Sequence, residues 1–190
     1  MVYQIATTIG WISTIQSLFI FTAKKRGKIL VLKLINDVLN IINFTMLGTY
    51  TGAVLNVIAV CRESIFYFKD KKSWANSKIW LFIFMFLMML SPLSVVLDPS
   101  RSTTEKWMQL LPATGSTLAV IGLFMSKEQL IRVLNLFAQA PWVIYNIYNQ
   151  NIPATVNSCF GIISVVWGLV ACIILERKAK NETINIQNNE

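Results

Sequence analysis

The chain has 190 residues, of which 55% are hydrophobic and 14% are charged, and its formal net charge is +8. A soluble domain usually carries about 25% charged residues, so the composition excludes an ordinary soluble protein. The basic residues stand in short loops between apolar runs, which favours membrane topology over nucleic-acid binding as the reason for the positive charge. No charged residue occurs from Val133 to Leu175, a run that is too long for one crossing of about 20 residues and indicates two.

Seven transmembrane helices are predicted, at about residues 3–22, 29–47, 51–68, 79–97, 108–125, 130–148 and 152–175. Each run has roughly 18–24 residues, enough to cross a bilayer as a helix, whereas a transmembrane barrel needs alternating segments of about ten residues. Gly48 and Gly52 mark a tight turn after the second helix, and Pro153 marks one after the sixth. The predicted fold class is therefore all-α, in a polytopic membrane protein.

The basic residues indicate how the predicted helices are oriented. With seven spans, one side of the membrane holds Lys24, Lys25, Arg26, Lys28, Lys69, Lys71, Lys72, Lys78, Lys127, Arg132, Arg177, Lys178 and Lys180. The other side holds only Arg101 and Lys106, which Asp98 and Glu105 offset. The positive-inside rule then predicts an external N-terminus and a cytoplasmic C-terminus. The Asn-rich segment 176–190 is predicted to be a disordered cytoplasmic tail.

The loop lengths indicate a three-one-three arrangement. Two units of three helices, residues 3–68 and 108–175, each contain one tight turn, and a single linker helix at 79–97 separates them. One added helix makes the second unit parallel to the first, and parallel repeats of this kind are a known transporter plan.

Amide side chains occur inside the predicted helices, where polar groups are costly unless they face the bundle or water. The second helix carries Asn36, Asn40 and Asn43, and the sixth carries Asn135, Gln139 and Asn146 with Trp142. Each set lies at helical spacing on one face. The third and seventh helices each carry one amide, Asn56 and Asn157. These side chains either bind a small solute or form interhelical hydrogen bonds, which are worth less than about 1–2 kcal/mol each in a bilayer. For a single amide the second interpretation is preferred, and for Asn56 and Asn157 together both stay open.

Asp37 is the one acid that we place deep in a predicted span. A charge at the centre of a helix costs about 2.5–3.5 kcal/mol on insertion scales, so Asp37 requires a partner or a proton. Lys33 lies one turn away on the same helix, and Arg62 is predicted at similar depth on the third helix. A structural ion pair is the preferred interpretation, and a protonatable coupling site is the alternative.

Two prolines are candidate hinges because proline removes a backbone hydrogen bond and bends a helix. Pro112 opens the fifth predicted helix, and Pro141 lies inside the sixth, next to Trp142, whose ring is suited to stacking on a ligand or to packing in the core. The cysteines, Cys61, Cys159 and Cys172, are predicted to be small buried hydrophobes. No catalytic constellation, metal motif or cofactor motif is found, so we expect neither an enzyme nor a bound cofactor.

The residues also resemble a known family. The stretches that carry the likeness are Met46–Ala53 running into Asn56, Arg62 with Ile65–Phe68, Leu110–Gly115 and Trp142–Asn146. Over about residues 6–175 the chain resembles the bacterial inner-membrane protein family called YgjV, which carries no established activity.

The layout is similar to that of the wider SWEET and PQ-loop group of solute transporters. In SWEETs an asparagine on each of the third and seventh helices contacts the substrate, and the resemblance implies this role for Asn56 and Asn157. The chain departs from the SWEET pattern because Pro112 and Pro141 have no proline counterparts in the first half, where Thr7 and Asn40 stand.

Two functional hypotheses follow. The first is a transporter or facilitator of an uncharged polar solute, with a binding site built from Asn56, Asn157, Trp142, Asn40 and Gln139 and with alternating access between the two units. The second is a non-transporting receptor or scaffold in which the amides only join helices. The expected partners are the lipid bilayer and a small polar solute but not nucleic acid, and a homodimer is compatible with the sequence although no motif requires one.

Overall fold

The computed structural model describes residues 2–20, 23, 25–125, 127–163, 166, 167, 170 and 174. This part of the chain is all-helical. The helices are α1 (Val2–Ser17), α2 (Arg26–Met46), α3 (Tyr50–Tyr67), α4 (Lys78–Leu90), α5 (Leu93–Val96), α6 (Thr103–Phe124), α7 (Glu128–Tyr148) and α8 (Ile152–Ile163), with a 3₁₀ turn at Ser73–Asn76. The predicted tail 176–190, Cys172 and the end of the last predicted span lie outside the described residues.

Helices occur at the predicted positions, with differences at their ends. α1 ends at Ser17 instead of continuing to residue 22, and α2 begins at Arg26, so that part of the predicted basic loop is helical. The fourth predicted helix is broken into α4 and α5 around Pro92, because proline supplies no backbone N–H to continue the helical hydrogen bonds.

Three segments are both long and apolar enough to cross a membrane, namely Arg26–Met46, Lys78–Val96 and Thr103–Phe124. Their outer faces carry large apolar side chains. Phe82 and Phe86 on α4, one turn apart, are each 65% exposed. Such surfaces are unusual in water and are the expected surface of a helix in lipid.

The helices pack mainly against their chain neighbours. α1 packs on α2, α2 on α3, α6 on α7, and α4 on α6, while α3 also touches α6. The main apolar core lies where α3, α4 and α6 meet, and Phe66 is at its centre with edge-to-face contacts to Phe84 and Phe124, at ring distances of 5.6 and 5.4 Å.

The two tight turns are built differently. Gly48 takes a φ of 72° between α2 and α3, and Gln150 takes a φ of 53° between α7 and α8. Gly52, predicted as part of the first turn, instead lies inside α3, where a Cβ atom would be 2.9 Å from the Phe44 ring. Its small size therefore permits the packing of Phe44 against α3.

The prediction that the cysteines are buried is wrong for two of them. Cys61 on α3 and Cys159 on α8 are exposed. An apolar run in a membrane protein has a lipid-facing side as well as a core-facing side, and hydropathy alone does not distinguish the two.

Candidate functional site

A polar cavity of about 90 Å³ lies between two groups of helices, α1–α3 and α6–α8. All six helices line it, and no residue of α4 or α5 is among its lining residues in the described part of the chain. The polar and charged lining residues are Ser17, Lys33, Asn36, Asp37, Asn40, Asn56, Arg62, Ser116, Asn135, Gln139, Asn146, Asn157 and Ser158. A polar cavity of this size holds several water molecules.

The structure brings the candidate binding residues together. Asn56, Asn157, Trp142, Asn40 and Gln139 all line the cavity. Lys33, Asp37 and Arg62 line it as well, whereas the candidate hinges Pro112 and Pro141 lie inside α6 and α7 and are absent from its lining.

The amides of α2 are largely occupied in joining α2 to α1. Asn36 donates to the backbone carbonyl of Ser13 at 2.8 Å and to its hydroxyl at 2.9 Å. The Ser13 hydroxyl in turn donates to Asn40 at 2.8 Å, and Asn40 donates to Asn36 at 3.1 Å. This closed set of hydrogen bonds fixes the α1–α2 contact.

The amides of α3, α7 and α8 retain unused hydrogen-bonding groups. Asn56 donates to the carbonyl of Gly52 on its own helix at 2.7 Å, and its side-chain oxygen accepts no hydrogen bond from the described residues. Asn157 and Gln139 make no side-chain hydrogen bond in the described part of the chain, although both line the cavity. An amide offers two donor hydrogens and an acceptor oxygen, so these three side chains are able to bind a polar solute.

Trp142 belongs to an aromatic cluster at one end of the cavity. Its ring lies 5.9 Å from that of Phe44 on α2 and 5.8 Å from that of Tyr145, with the second pair edge-to-face. Trp142 therefore packs between the two helix groups and also presents part of its surface to the cavity.

A cluster of four charged side chains lies on the α2–α3 side of the cavity, and we call it the charged cluster: Lys33, Asp37, Arg62 and Glu63. Arg62 donates to the Glu63 carboxylate at 2.8 Å, and Lys33 lies 3.9 Å from the same oxygen. The side chains of Asp37 and Glu63 are within hydrogen-bonding range of each other. Lys33 and Arg62, the predicted partners of Asp37, therefore lie in the same cluster as Asp37, but the ion pairs that they form are with Glu63.

The prediction that Asp37 is the only deep acid is wrong. Glu63 on α3 has no exposed surface, and it also lines a second, largely apolar cavity of about 170 Å³ between α2 and α3. The signal was present in the sequence, because Glu63 directly follows Arg62 inside the third predicted span. An acid beside a base in an apolar segment is typical of charges that pair with each other inside the protein.

Pro141 lies where α6 and α7 cross closely. A Cβ atom at Gly115 would lie 2.6 Å from the carbonyl oxygen of Ala138 and 3.4 Å from Cβ of Pro141. Glycine permits this close approach, and Pro141 leaves the carbonyl four residues before it without its helical partner.

One end of the bundle is joined by two basic side chains, and we call these contacts the basic-end latch. Arg26, at the start of α2, donates to the carbonyls of Phe66 at 3.0 Å and Leu123 at 3.1 Å and pairs with Asp70 at 2.8 Å. The last carbonyls of a helix lack intrahelical partners and carry negative partial charge. Arg26 therefore ties the end of α3 to the end of α6.

Lys69 completes the basic-end latch. It donates to the carbonyl of Phe124 and lies 4.1 Å from the centre of that ring. Burial first, and the nearby Arg26 guanidinium second, lower the pKa of Lys69, while Asp70 opposes them. Lys69 therefore loses its proton at a lower pH than an exposed lysine does.

The opposite end of the bundle is joined by uncharged contacts. Asn151 donates to Asn43 at 2.9 Å, and Thr14 donates to the carbonyl of Pro153 at 2.9 Å. A Cβ atom at Gly10 would lie 2.7 Å from Pro153, so α1 and the start of α8 are in close contact. The cavity thus lies between two sets of contacts that connect the helix groups.

The loop before α6 also lies at this opposite end. The hydroxyl and backbone N–H of Ser100 donate to Asp98 at 2.6 and 2.9 Å and hold the pKa of that carboxyl below its usual value.

Within the described residues, no group of three or more cysteine and acidic side chains is placed to hold a metal ion.

A comparison with protein families assigns the chain. The family model Imp-YgjV, described as a bacterial inner membrane protein, matches residues 4–174. The chain belongs to this family. The description of the Imp-YgjV family, together with three segments that are long and apolar enough to span a membrane, places the protein in a bacterial inner membrane. No curated protein and no solved structure matches the chain.

Proposed function

We propose that this Imp-YgjV protein is a transporter or facilitator of a small polar solute that works by alternating access. In this proposal, seven helices cross the membrane in a three-one-three arrangement. α1–α3 form the first unit, α4 and α5 form the linker helix, and α6 to the end of the seventh span form the second unit.

The observation that carries the proposal is the polar cavity between the two units. Amides with unused hydrogen-bonding groups face it from both units, Asn56 from the first and Gln139 and Asn157 from the second. Asn56 is buried, and Gln139 and Asn157 are half-buried. Unused hydrogen-bonding groups on three amides that face one cavity, which is large enough for several water molecules, favour a polar solute that binds to them.

The contacts at the two ends of the cavity supply a means of alternating access. Breaking the basic-end latch around Arg26 would open one end, while breaking the Asn43–Asn151 and Thr14–Pro153 contacts would open the other. Each set consists of a few hydrogen bonds with a net worth of about 0.5–3 kcal/mol apiece, which is small enough for exchange between states.

The proposed orientation follows the distribution of basic residues. The loops near Lys25, Lys71 and Lys127 are placed in the cytoplasm with the C-terminus, and the N-terminus is placed outside. The basic-end latch is then the cytoplasmic gate.

A receptor or scaffold remains the second candidate because of the α1–α2 contact. Asn36, Asn40 and Ser13 satisfy one another without any solute, as the structural interpretation of the amides requires. This set accounts for the α2 amides but leaves Asn56 and Asn157 unexplained.

A thermal-shift screen in lipid nanodiscs tests the proposal. The purified protein is heated with sugars, nucleosides, vitamins or amino acids in turn. A ligand that binds only the folded state at about 100 times its Kd stabilises the protein by about 2.7 kcal/mol. We expect one solute class to raise the melting temperature of the wild type and to have no effect on Asn157→Leu.

The matched control is Phe160→Leu, which alters an exposed side chain one turn further along α8. This variant should respond to the same solute as the wild type. A stabilising solute that acts equally on Asn157→Leu would contradict the proposed site, and a screen in which no class stabilises the wild type would favour the scaffold.

A further inference from the structure

The charged cluster has hydrogen-bonding groups that the protein leaves without partners. Arg62 is 2% exposed and uses Nη2 for Glu63, while its Nε and Nη1 groups have no hydrogen-bond partner among the described residues. On the acidic side, Oδ2 of Asp37 and Oε2 of Glu63 also lack donors. Unpartnered buried charged groups are costly, so the cluster is incomplete in two respects.

The missing groups are a donor for the acids and an acceptor for the arginine. Because Asp37 and Glu63 face each other at hydrogen-bonding range, one proton on the pair turns one carboxyl into a donor to the other. Two carboxyl groups that share a site do not readily carry two negative charges. An anionic oxygen in the cavity would in turn accept from Arg62, whose guanidinium is suited to carboxylate groups.

The charge balance requires the proton and the anion to bind together. At a pH high enough to ionise both acids, two cations and two anions cancel, and the empty cluster is neutral. Binding an anion alone would leave one uncompensated negative charge, and binding a proton alone would leave one positive charge. Uncompensated charge is expensive inside a membrane, whereas one proton with one monoanion keeps the cluster neutral.

We propose that the cavity binds a small monocarboxylate together with one proton, with the carboxylate at Lys33 and Arg62 and the proton on the Asp37–Glu63 pair. This inference rests on the proposed transport function and names the class of its solute. The groups that act on Asp37 are Glu63, Lys33 and Arg62, and the cavity-lining residues of α6, α7 and α8 are uncharged. The unused amides of Asn56, Gln139 and Asn157 then bind the uncharged part of the solute.

Titration calorimetry of the full chain in lipid nanodiscs, with matched pairs of ligands, tests whether the cavity binds a carboxylate together with a proton. Acetate is compared with acetamide, glycolate with glycolamide, and lactate with lactamide. Each is measured in two buffers of different ionisation enthalpy, so that the heat reports proton uptake. We expect at least one carboxylate to bind more than tenfold more tightly than its amide and to take up close to one proton. Its affinity should fall about tenfold per pH unit once the pair is ionised.

Three variants sharpen the test. Asp37→Asn should retain carboxylate binding but take up no proton and lose the pH dependence, because the pair then carries only one negative charge. Arg62→Gln should lose the preference for carboxylate over amide. Asp98→Asn removes an exposed acid outside the cavity and should bind as the wild type does. Melting curves establish whether each variant is folded. If Arg62→Gln does not fold, Asp37→Asn alone tests the proposed proton site.

Carboxylate binding without proton uptake would overturn the inference, as would an amide that binds as tightly as its carboxylate. Either result leaves the transport proposal intact, since a solute still occupies the cavity. If none of these ligands binds and the broader thermal-shift screen is also negative, both the inference and the proposed function fail.

Discussion

At the scale of single residues, the amides divide into two kinds that have the same appearance in the sequence. Asn36 and Asn40 are bonded to each other and to Ser13. Asn56 keeps a free side-chain oxygen, and the side chain of Asn157 makes no hydrogen bond with the described residues. Helical spacing predicts which face an amide occupies, but whether a partner stands opposite depends on how neighbouring helices pack. The sequence therefore identified the candidate amides but could not separate those with unused hydrogen-bonding groups from those that join helices.

A single methyl group should disturb the crossing of α6 and α7. Gly115→Ala places a carbon 2.6 Å from the carbonyl oxygen of Ala138, which is backbone and does not rotate away. Overpacking of this kind costs about 1–3 kcal/mol. We expect a melting temperature several degrees below that of the wild type in the same detergent.

Gly27→Ala is the matched control for this substitution. Its new carbon would meet the Tyr67 ring at 3.5 Å, an ordinary contact, and alanine is favoured over glycine in a helix by about 0.8–1 kcal/mol. The melting temperature of this variant should be unchanged or raised. Equal losses in both variants would refute the close crossing at Gly115.

At the scale of the helices, hydropathy predicts where the helices lie in the chain but not the residues at which they begin, end or break. Apolar runs bounded by lysine, glycine and proline located the helices because a helix in lipid must satisfy its own backbone over a fixed length. The break at Pro92 depends on the backbone chemistry of proline. The early start of α2 at Arg26 depends on distant carbonyl groups that accept hydrogen bonds from the Arg26 side chain. The order of the helices therefore follows from the sequence, whereas the contacts at the helix ends can be found only from the folded structure.

The basic-end latch gives a prediction at this scale. Arg26→Ala removes the donor shared by the ends of α3 and α6 and leaves Asp70 without its partner. A hydrogen bond from a charged group contributes about 1.5–3 kcal/mol, so a loss of about 2–3 kcal/mol is expected. Hydrogen exchange should accelerate in the last turns of α3 and α6 and remain unchanged in the α7–α8 turn.

Lys25→Ala serves as the control because it removes an exposed positive charge at the neighbouring position. Its exchange rates should match those of the wild type. Uniform acceleration throughout the bundle in Arg26→Ala would show that the residue supports the whole fold, and the latch would then have no separate role.

At the scale of the whole molecule, the cavity connects the sequence pattern to the proposed activity. Asn56 and Asn157 are far apart in the chain, and both line one cavity. The sequence shows Glu63 next to Arg62 in the third predicted span, but the proximity of Glu63 to Asp37 on another helix is a relation that periodicity within one helix does not reveal.

The most direct test of the account asks whether the cavity can be reached from both sides of the membrane. Ser116→Cys places a thiol at the cavity wall, in a background where Cys61, Cys159 and Cys172 are serine. Right-side-out and inside-out vesicles are treated with a membrane-impermeant maleimide. Val57→Cys, on the 48% exposed outer face of α3, is the control and should stay unlabelled from either side.

The account predicts that Ser116→Cys is labelled in both kinds of vesicle and that adding Arg26→Ala increases labelling from the cytoplasmic side. Labelling from one side only, or from neither, would contradict alternating access through this cavity.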